Sequence, residues 1–91
     1  MNPVEEVRRI VNTIPPGQVI TYGEIAALMG ITPRRAGRLV GDLDESSPWW
    51  RVLYQDGSPA TCHGGVAGSL LAAEGTPLRG DKVDIGRTRA T

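Results

Sequence analysis

Two groups of residues in this sequence could do chemistry: a Cys–His pair in a glycine-rich stretch and three arginines close together. Cys62 and His63 are adjacent, and a thiol next to an imidazole suggests an activated nucleophile. Adjacent residues rarely place their side chains for mutual hydrogen bonding, however, so the pattern favours an ordinary loop thiol over a catalytic one.

The three arginines lie in a stretch that has no acidic residue. Arg34, Arg35 and Arg38 fall between Gly30 and Gly41, and acidic residues follow at positions 42, 44 and 45. Such a local basic patch suits contacts with phosphates. The alternative is a helix face that is simply solvated.

Composition limits what surrounds these residues. The chain has 91 residues, and its ten Lys+Arg balance ten Asp+Glu. With 40% apolar and 22% charged residues, it should form one soluble globular domain over residues 1–91. One Cys cannot form an internal disulfide, and one Cys and one His are too few for a zinc site. We therefore expect no metal and no cofactor.

The same reasoning predicts a cytoplasmic protein without a membrane segment. The longest apolar runs are too short to span a bilayer, and Pro3, Glu5 and Glu6 after Met1 do not resemble a signal peptide. Zero net charge argues against strong non-specific binding to polyanions. A second basic stretch lies near the C-terminus, with Arg79, Lys82, Arg87 and Arg89.

Three helices must position the arginines. Asn2 and Pro3 begin the first helix, which Pro15 ends. Thr21 and Glu24 form a capping box for a second helix of about two turns, ended by a left-handed glycine at position 30. A third helix runs from about Pro33 to Leu43. The last two helices match the helix-turn-helix pattern.

The second half is predicted to be less regular. Residues 50–54 alternate as in a strand, residues 58–65 form a loop, and residues 66–74 form a last helix. From about residue 76 we expect an irregular tail with an extended piece near 82–85. The fold class is therefore mainly α: a winged-helix-like helix-turn-helix domain with a small β element.

Several segments, taken in order, resemble the DNA-binding domain of O6-alkylguanine-DNA alkyltransferases. Residues 16–26, PGQVITYGEIA, resemble its opening, and residues 35–41, RAGRLVG, resemble its recognition helix with an arginine finger at Arg38. Residues 48–52, PWWRV, stand where the family has Pro-Cys-His-Arg-Val, and residues 63–65 end a loop that the family ends in Ser-Gly-Gly. The likeness covers about residues 4–80.

The departures from the family pattern bear on function. Trp49 stands at the position of the nucleophilic cysteine and Trp50 at that of its histidine, while Glu74 keeps the acidic relay position. A tryptophan in place of the cysteine is the hallmark of alkyltransferase-like proteins. The resemblance thus implies a non-enzymatic sensor that docks its helix-turn-helix in the minor groove, flips O6-alkylguanine out of duplex DNA and signals to nucleotide excision repair.

The resemblance also assigns residues. Tyr22 would bond the flipped base, Arg38 would fill the vacated stack, and small residues would let the helix approach the groove. The DNA-binding set is Tyr22, Thr32, Arg34, Arg35, Ala36, Gly37 and Arg38. The lesion-pocket set is Tyr22, Trp49, Trp50, Arg51, Val52 and His63. For most of these a structural role is the alternative: Ala36 and Gly37 at a helix crossing, Arg51 bracing a loop, Trp50 filling the core.

Two other functions stay open. One is a winged-helix-like DNA-binding or regulatory module without lesion specificity, suggested by the two tryptophans and by a loop from Gly41 to Pro48 shorter than the family's. The other is an enzyme, which lacks a nucleophile with a credible base. We expect a monomer. Its expected partners are duplex DNA with alkylated guanine and excision-repair proteins such as UvrA. When bound to DNA it would lie at the bacterial nucleoid. The sequence does not specify which alkyl groups are preferred.

Overall fold

The computed structural model describes residues 2–88, so Met1 and the predicted basic residue Arg89 lie outside the described residues. A 3₁₀ turn, Trp49–Arg51, precedes the second strand. The helices and strands in chain order are α1 (Pro3–Asn12), β1 (Ile20–Thr21), α2 (Tyr22–Met29), α3 (Pro33–Gly41), β2 (Val52–Leu53), α4 (Ala67–Ala73), β3 (Leu78–Arg79), β4 (Lys82–Val83) and α5 (Ile85–Thr88).

The predicted starts are confirmed for the first three helices, whereas α3 ends at Gly41 and not at the predicted Leu43. The side chain of Asn2 accepts a hydrogen bond from the backbone N–H of Glu5 at 2.9 Å. The capping box is complete, since Thr21 Oγ1 accepts from the N–H of Glu24 and Glu24 Oε1 accepts from the N–H of Thr21. Gly30 ends α2 with φ of 70°, the left-handed conformation that glycine adopts without a steric penalty.

Helices α1, α2 and α3 pack on one another around an aliphatic core. Val7 and Val11 of α1, Ile25 of α2 and Val40 of α3 are fully buried. The three-to-four-residue spacing of these side chains places them on one face of each helix. The helix-turn-helix pair, α2 and α3, is therefore held from behind by α1, which leaves the outer face of α3 open to solvent.

The strand predicted at residues 50–54 is shorter than expected. Residues 49–51 form the 3₁₀ turn, and only Val52 and Leu53 pair, in parallel, with Ile20 and Thr21 of β1. Both indoles pack on the core, with Trp49 buried and Trp50 half-buried. A strand would send these consecutive side chains to opposite faces, so packing both of them overrides the local strand pattern.

The segment after residue 76 was predicted to be irregular, and this was wrong for most of it. Strands β3 and β4 pair as an antiparallel hairpin, which confirms the extended piece only in part. The hairpin is tied to the domain because Val83 is 5% exposed and its N–H donates to Gly57 O at 2.9 Å. The N–H of Val19 donates to Thr88 O. None of the helices within residues 2–88 is long and apolar enough to cross a membrane.

Candidate nucleic-acid interface and lesion pocket

Helix α3 presents arginines to solvent from a firmly anchored backbone. Thr32 Oγ1 accepts a hydrogen bond from the N–H of Arg35 at 3.1 Å, and Pro33 occupies the first turn. Leu39 and Val40 pack into the core from the opposite face. The exposed positions include the three predicted arginines, Arg34, Arg35 and Arg38.

The charges on α3 run against the helix dipole. Arg34 and Arg35 lie in a first turn that has no acidic residue, and Asp42 caps the C-terminal end. Cations are disfavoured near a helix N-terminus, whereas anions are attracted there. A shallow hollow of about 170 Å³ lies among the arginine-face residues, which are Thr32, Arg34, Arg35 and Arg38. A phosphate placed there would interact favourably with both the side chains and the helix end.

The two small residues of α3 have different environments. Ala36 is fully buried among the core side chains, so its methyl group supports the helix crossing and does not reach a groove surface. Gly37 is half-buried beside Tyr22: a Cβ built on it would lie 3.8 Å from two atoms of the Tyr22 ring. The burial of Ala36 fits its alternative role at a helix crossing, and the close approach of this part of the helix to a groove stays a prediction.

Tyr22 opens onto a cleft beside α3. Its ring lies 5.0 Å from the ring of Tyr54, tilted by 51°. The cleft has a volume of about 440 Å³, which is within the size range of small-molecule sites. The residues that line this tyrosine cleft are Tyr22, Pro33, Arg34, Gly37, Tyr54, Thr61 and Cys62.

Burial favours the protonated forms of two side chains in the tyrosine cleft, Tyr22 and Cys62. It raises the pKa of the Tyr22 hydroxyl far above its ordinary value, and nearby Cys62 and Tyr54 raise this pKa further. Burial also raises the pKa of the Cys62 thiol. A thiol with a raised pKa is a poor nucleophile at neutral pH. The Tyr22 hydroxyl, in contrast, remains available as a hydrogen-bond donor.

Trp49 lies beneath His63. It is only 2% exposed, and the two rings stack with centroids 4.0 Å apart and planes inclined by 14°. Trp50 meets the Trp49 ring edge-on at 5.8 Å. The tryptophan hollow, about 370 Å³ in volume, is lined by Glu45, Trp49, Trp50, His63, Val66 and Leu70.

The predicted lesion pocket is divided between two hollows. Tyr22 lines the tyrosine cleft, whereas Trp49, Trp50 and His63 line the tryptophan hollow. Cys62 lines the tyrosine cleft, whereas the next residue, His63, lines the tryptophan hollow. The structure therefore does not bring Tyr22 and Trp49 together in one open cavity.

Arg51 and Val52 make contacts inside the protein, and neither residue lines the tyrosine cleft or the tryptophan hollow. Arg51 Nε donates to both carboxylate oxygens of Glu74 at 3.1 Å, and its Nη1 donates to Ile14 O at 2.7 Å. Trp50 Nε1 donates to Glu74 Oε1 at 2.9 Å. Val52 is fully buried. The Arg51 side chain thus makes the contacts expected of its alternative role as a brace, and its place in a lesion pocket stays a prediction.

Glu74 is the centre of this brace. Burial alone would raise the pKa of its carboxyl group, but hydrogen bonds from Arg51 and Trp50 and the charge of Arg51 outweigh burial and hold the pKa below its ordinary value. The carboxylate thus stays ionised and ties the 3₁₀ turn to the end of α4. The acidic position that the resemblance assigned to a relay has a structural role in this chain.

Sequence reasoning missed Tyr54, Thr61 and Pro33 as lining residues of the tyrosine cleft. The one available signal was Tyr54, an aromatic side chain at the solvent end of the predicted strand, and it is 42% exposed. The part of the chain that the structure describes contains no group of three or more His, Cys, Asp or Glu that could hold a metal ion.

Helices α2 and α3 form a helix-turn-helix pair, and α3 exposes the arginine face. This arrangement is typical of helix-turn-helix DNA-binding domains. Residues 2–76 match the family described as 6-O-methylguanine DNA methyltransferase, DNA binding domain. The chain belongs to this family, and within it the chain is an alkyltransferase-like protein.

Named relatives support this placement. A DNA base-flipping protein of Escherichia coli is 36% identical, over 93% of this chain and 71% of the relative. A methylated-DNA–protein-cysteine methyltransferase of Methanothermobacter thermautotrophicus is 37% identical, over 78% of this chain. The chain spans only about half the length of some curated relatives, 43% of this methyltransferase and 56% of another relative.

The fold also matches a solved complex. The crystal structure of Schizosaccharomyces pombe Atl1 bound to damaged DNA containing O6-carboxymethylguanine superposes with a TM-score of 0.80 at 25% identity. The match covers 97% of this chain and 94% of Atl1. The whole described fold, including the hairpin after residue 76, therefore has a counterpart of nearly the same size.

Proposed function

We propose that this protein is a non-enzymatic sensor of DNA damage that binds O6-alkylguanine in duplex DNA. Docking of α3 in the minor groove, with Arg34 and Arg35 on phosphates, would position the domain. Arg38 would enter the stack as the guanine leaves it. Nucleotide excision repair proteins, for which UvrA is the candidate, would then receive the marked lesion.

The observation that carries this proposal is the buried indole of Trp49 where the family has its nucleophilic cysteine. An indole cannot accept an alkyl group by thiolate chemistry, but its face can stack on a purine or an O6-alkyl substituent. The sole thiol, Cys62, lies in the tyrosine cleft with a raised pKa. The relatives named base-flipping proteins, and the Atl1 complex with damaged DNA, agree with this function.

The test is a titration of the protein against two duplexes that differ only in guanine or O6-methylguanine at one position. We expect tighter binding to the modified duplex and no gain of 14 Da, the mass of a transferred methylene unit, in the intact protein by mass spectrometry. Equal affinities would reject lesion sensing. A methyl group on Cys62 would instead establish an alkyltransferase.

A second candidate is a DNA-binding or regulatory module without lesion specificity. The division of Tyr22 and Trp49 between two hollows favours it, because the two residues expected to contact a flipped base line different cavities. In that case both duplexes in the same titration would bind equally, and binding would depend only on the arginine face.

A further inference from the structure

The His63 ring lies where a base stacked on Trp49 would lie. The rings are nearly parallel and 4.0 Å apart, which is an aromatic stacking geometry. Trp49 is 2% exposed, so no second flat group fits on the same indole face while His63 stays there. His63 stands at the position where the family has a serine, and its ring covers the face of Trp49, the proposed wall of the lesion pocket.

Two features hold His63 in this place. His63 Nε2 and the carbonyl oxygen of Leu43 are 2.6 Å apart and share a hydrogen bond. The backbone at His63 has φ of 58°, and it is the non-glycine residue with a positive φ within residues 2–88. Left-handed backbone is unfavourable for a residue with a side chain, so the local structure must stabilise it.

Two glycines follow His63 in a 3₁₀ turn, His63–Gly65. Gly64 and Gly65 have φ of 78° and 72°, and a Cβ at either position would meet nothing within 4 Å. Glycine has more allowed backbone conformations than any other residue, and one backbone hydrogen bond, from Gly65 N–H to Cys62 O at 3.2 Å, closes this turn. A change in the backbone angles of the two glycines would carry the imidazole away from Trp49.

His63 stands between two hollows. One is the tryptophan hollow; the other has a volume of about 600 Å³ and is lined by Gly41, Leu43, Asp44, Glu45, Ser46 and His63. Glu45 and His63 line both. Removing the ring from between them would join these two hollows over the uncovered face of Trp49, while Tyr22 would still line the separate tyrosine cleft.

Polar atoms at this stack also lack partners. Trp49 Nε1 and His63 Nδ1 are buried without a hydrogen-bond partner among the described residues. Buried polar groups are nearly always paired, and a purine presents acceptors on its ring and at O6. The two unpaired atoms, one on each ring, mark this stack as a site whose hydrogen-bonding capacity is not used in the structure.

We propose that His63 is the built-in occupant of the lesion pocket, which the flipped base must displace, so that His63 sets the threshold for lesion recognition. This inference rests on the proposed function. An unmodified guanine would gain too little from Trp49 to displace the imidazole and release it from Leu43. An O6-alkyl group adds apolar contact with the indole, and this makes replacement of the imidazole by the base favourable.

The experiment compares the natural protein with His63→Gly and His63→Asn, since both replacements tolerate left-handed backbone. Each is titrated with the plain and the O6-methylguanine duplex. Because neither variant has to displace an imidazole, we expect both to bind the O6-methylguanine duplex more tightly, at least threefold, while the plain duplex gains no more than the modified duplex does. The His63 ring protons of the natural protein should be shifted upfield by the Trp49 ring current in NMR spectra, and this shift should vanish in the lesion complex.

The outcomes separate this inference from the proposed function. Lesion preference with His63 protons still shifted upfield in the complex overturns the inference alone. Tighter binding by His63→Gly but not by His63→Asn also overturns it, because backbone freedom would then be the cause. A natural protein without lesion preference, whose variants acquire one, would overturn lesion sensing while supporting His63 as the occupant. No preference in any of the three proteins overturns both.

Discussion

At the scale of single residues, Trp49 and Cys62 are the two side chains on which the proposal of a non-enzymatic protein rests. The indole fills the position that resembles the nucleophile, and it is buried under His63. The Cys62 thiol lies in the neighbouring tyrosine cleft beside the Tyr22 hydroxyl, and burial raises its pKa, which favours the protonated thiol. In the proposed function, binding contacts would remain at the site while an indole takes the place of the reacting thiol.

Two of the three arginines of α3, Arg38 and Arg35, should differ in what they contribute to binding. Arg38→Ala should weaken binding to the O6-methylguanine duplex roughly tenfold, about 1.4 kcal/mol, because the guanidinium no longer fills the space that the flipped base leaves. Binding to the plain duplex should change less than threefold. Fluorescence anisotropy with both duplexes measures the two affinities.

Arg35→Ala is the matched control, because Arg35 is exposed on the same helix and carries the same charge. A phosphate contact carries no information about the base, so this variant should weaken both duplexes by the same factor. If Arg38→Ala behaves like Arg35→Ala, then Arg38 is a phosphate contact as well, and the module without lesion specificity becomes the better description.

At the scale of elements, the Glu74 brace couples the 3₁₀ turn that carries Trp49 to α4. Two elements far apart in sequence meet at one carboxylate, which accepts from Trp50 and Arg51. The positions of both indoles therefore depend on an ion pair whose side chains are only 12% and 14% exposed. Loss of one charge would leave the other nearly buried without compensation.

Glu74→Gln should lower the free energy of unfolding at pH 7 by about 1–3 kcal/mol. The folded-state pKa of Glu74 lies below its unfolded value of about 4.3, so the stabilisation is fully present above that pH and is lost as the pH falls through the folded-state pKa. The stability gap between the two proteins should thus be constant from pH 7 to about 5 and close in stronger acid. Urea unfolding over this pH range measures it.

Glu45→Gln serves as the control, because Glu45 is exposed on the neighbouring loop. Surface substitutions of this kind change stability by about 0.5 kcal/mol or less. A gap for Glu74→Gln that stays constant into strong acid would mean that ionisation of Glu74 does not stabilise the fold.

The sequence was enough to predict α1, α2, α3 and their caps, because those signals are local. Thr21 and Glu24 lie three residues apart, and Gly30 needs only its own backbone angle. The 3₁₀ turn at Trp49 and the hairpin after residue 76 depend on contacts with distant elements, such as Trp50 with Glu74 and Val83 with Gly57. Local propensity does not encode such contacts, and for the same reason the His63 stack on Trp49 could not be predicted.

At the scale of the whole molecule, zero net charge limits how DNA can be held. Ten basic residues balance ten acidic ones, so the attraction must come from the uneven distribution of charge, concentrated on the arginine face. A protein without a long-range positive field gains little from non-specific association. Its residence on DNA should therefore depend on the short-range contacts made by a flipped base.

The salt dependence of binding measures how much of the affinity comes from phosphate contacts and how much from the short-range contacts of a flipped base. If Arg34 and Arg35 make the phosphate contacts, the logarithm of the binding constant should fall against the logarithm of salt concentration with a slope of about −2. Raising salt from 50 to 200 mM would then weaken binding about 15-fold for both duplexes. The ratio of the two affinities should stay constant, because stacking on Trp49 and the Tyr22 hydrogen bond release no counterions. A slope steeper than about −5, or a lesion preference that disappears in salt, would show that phosphate contacts well beyond the arginine face hold the DNA.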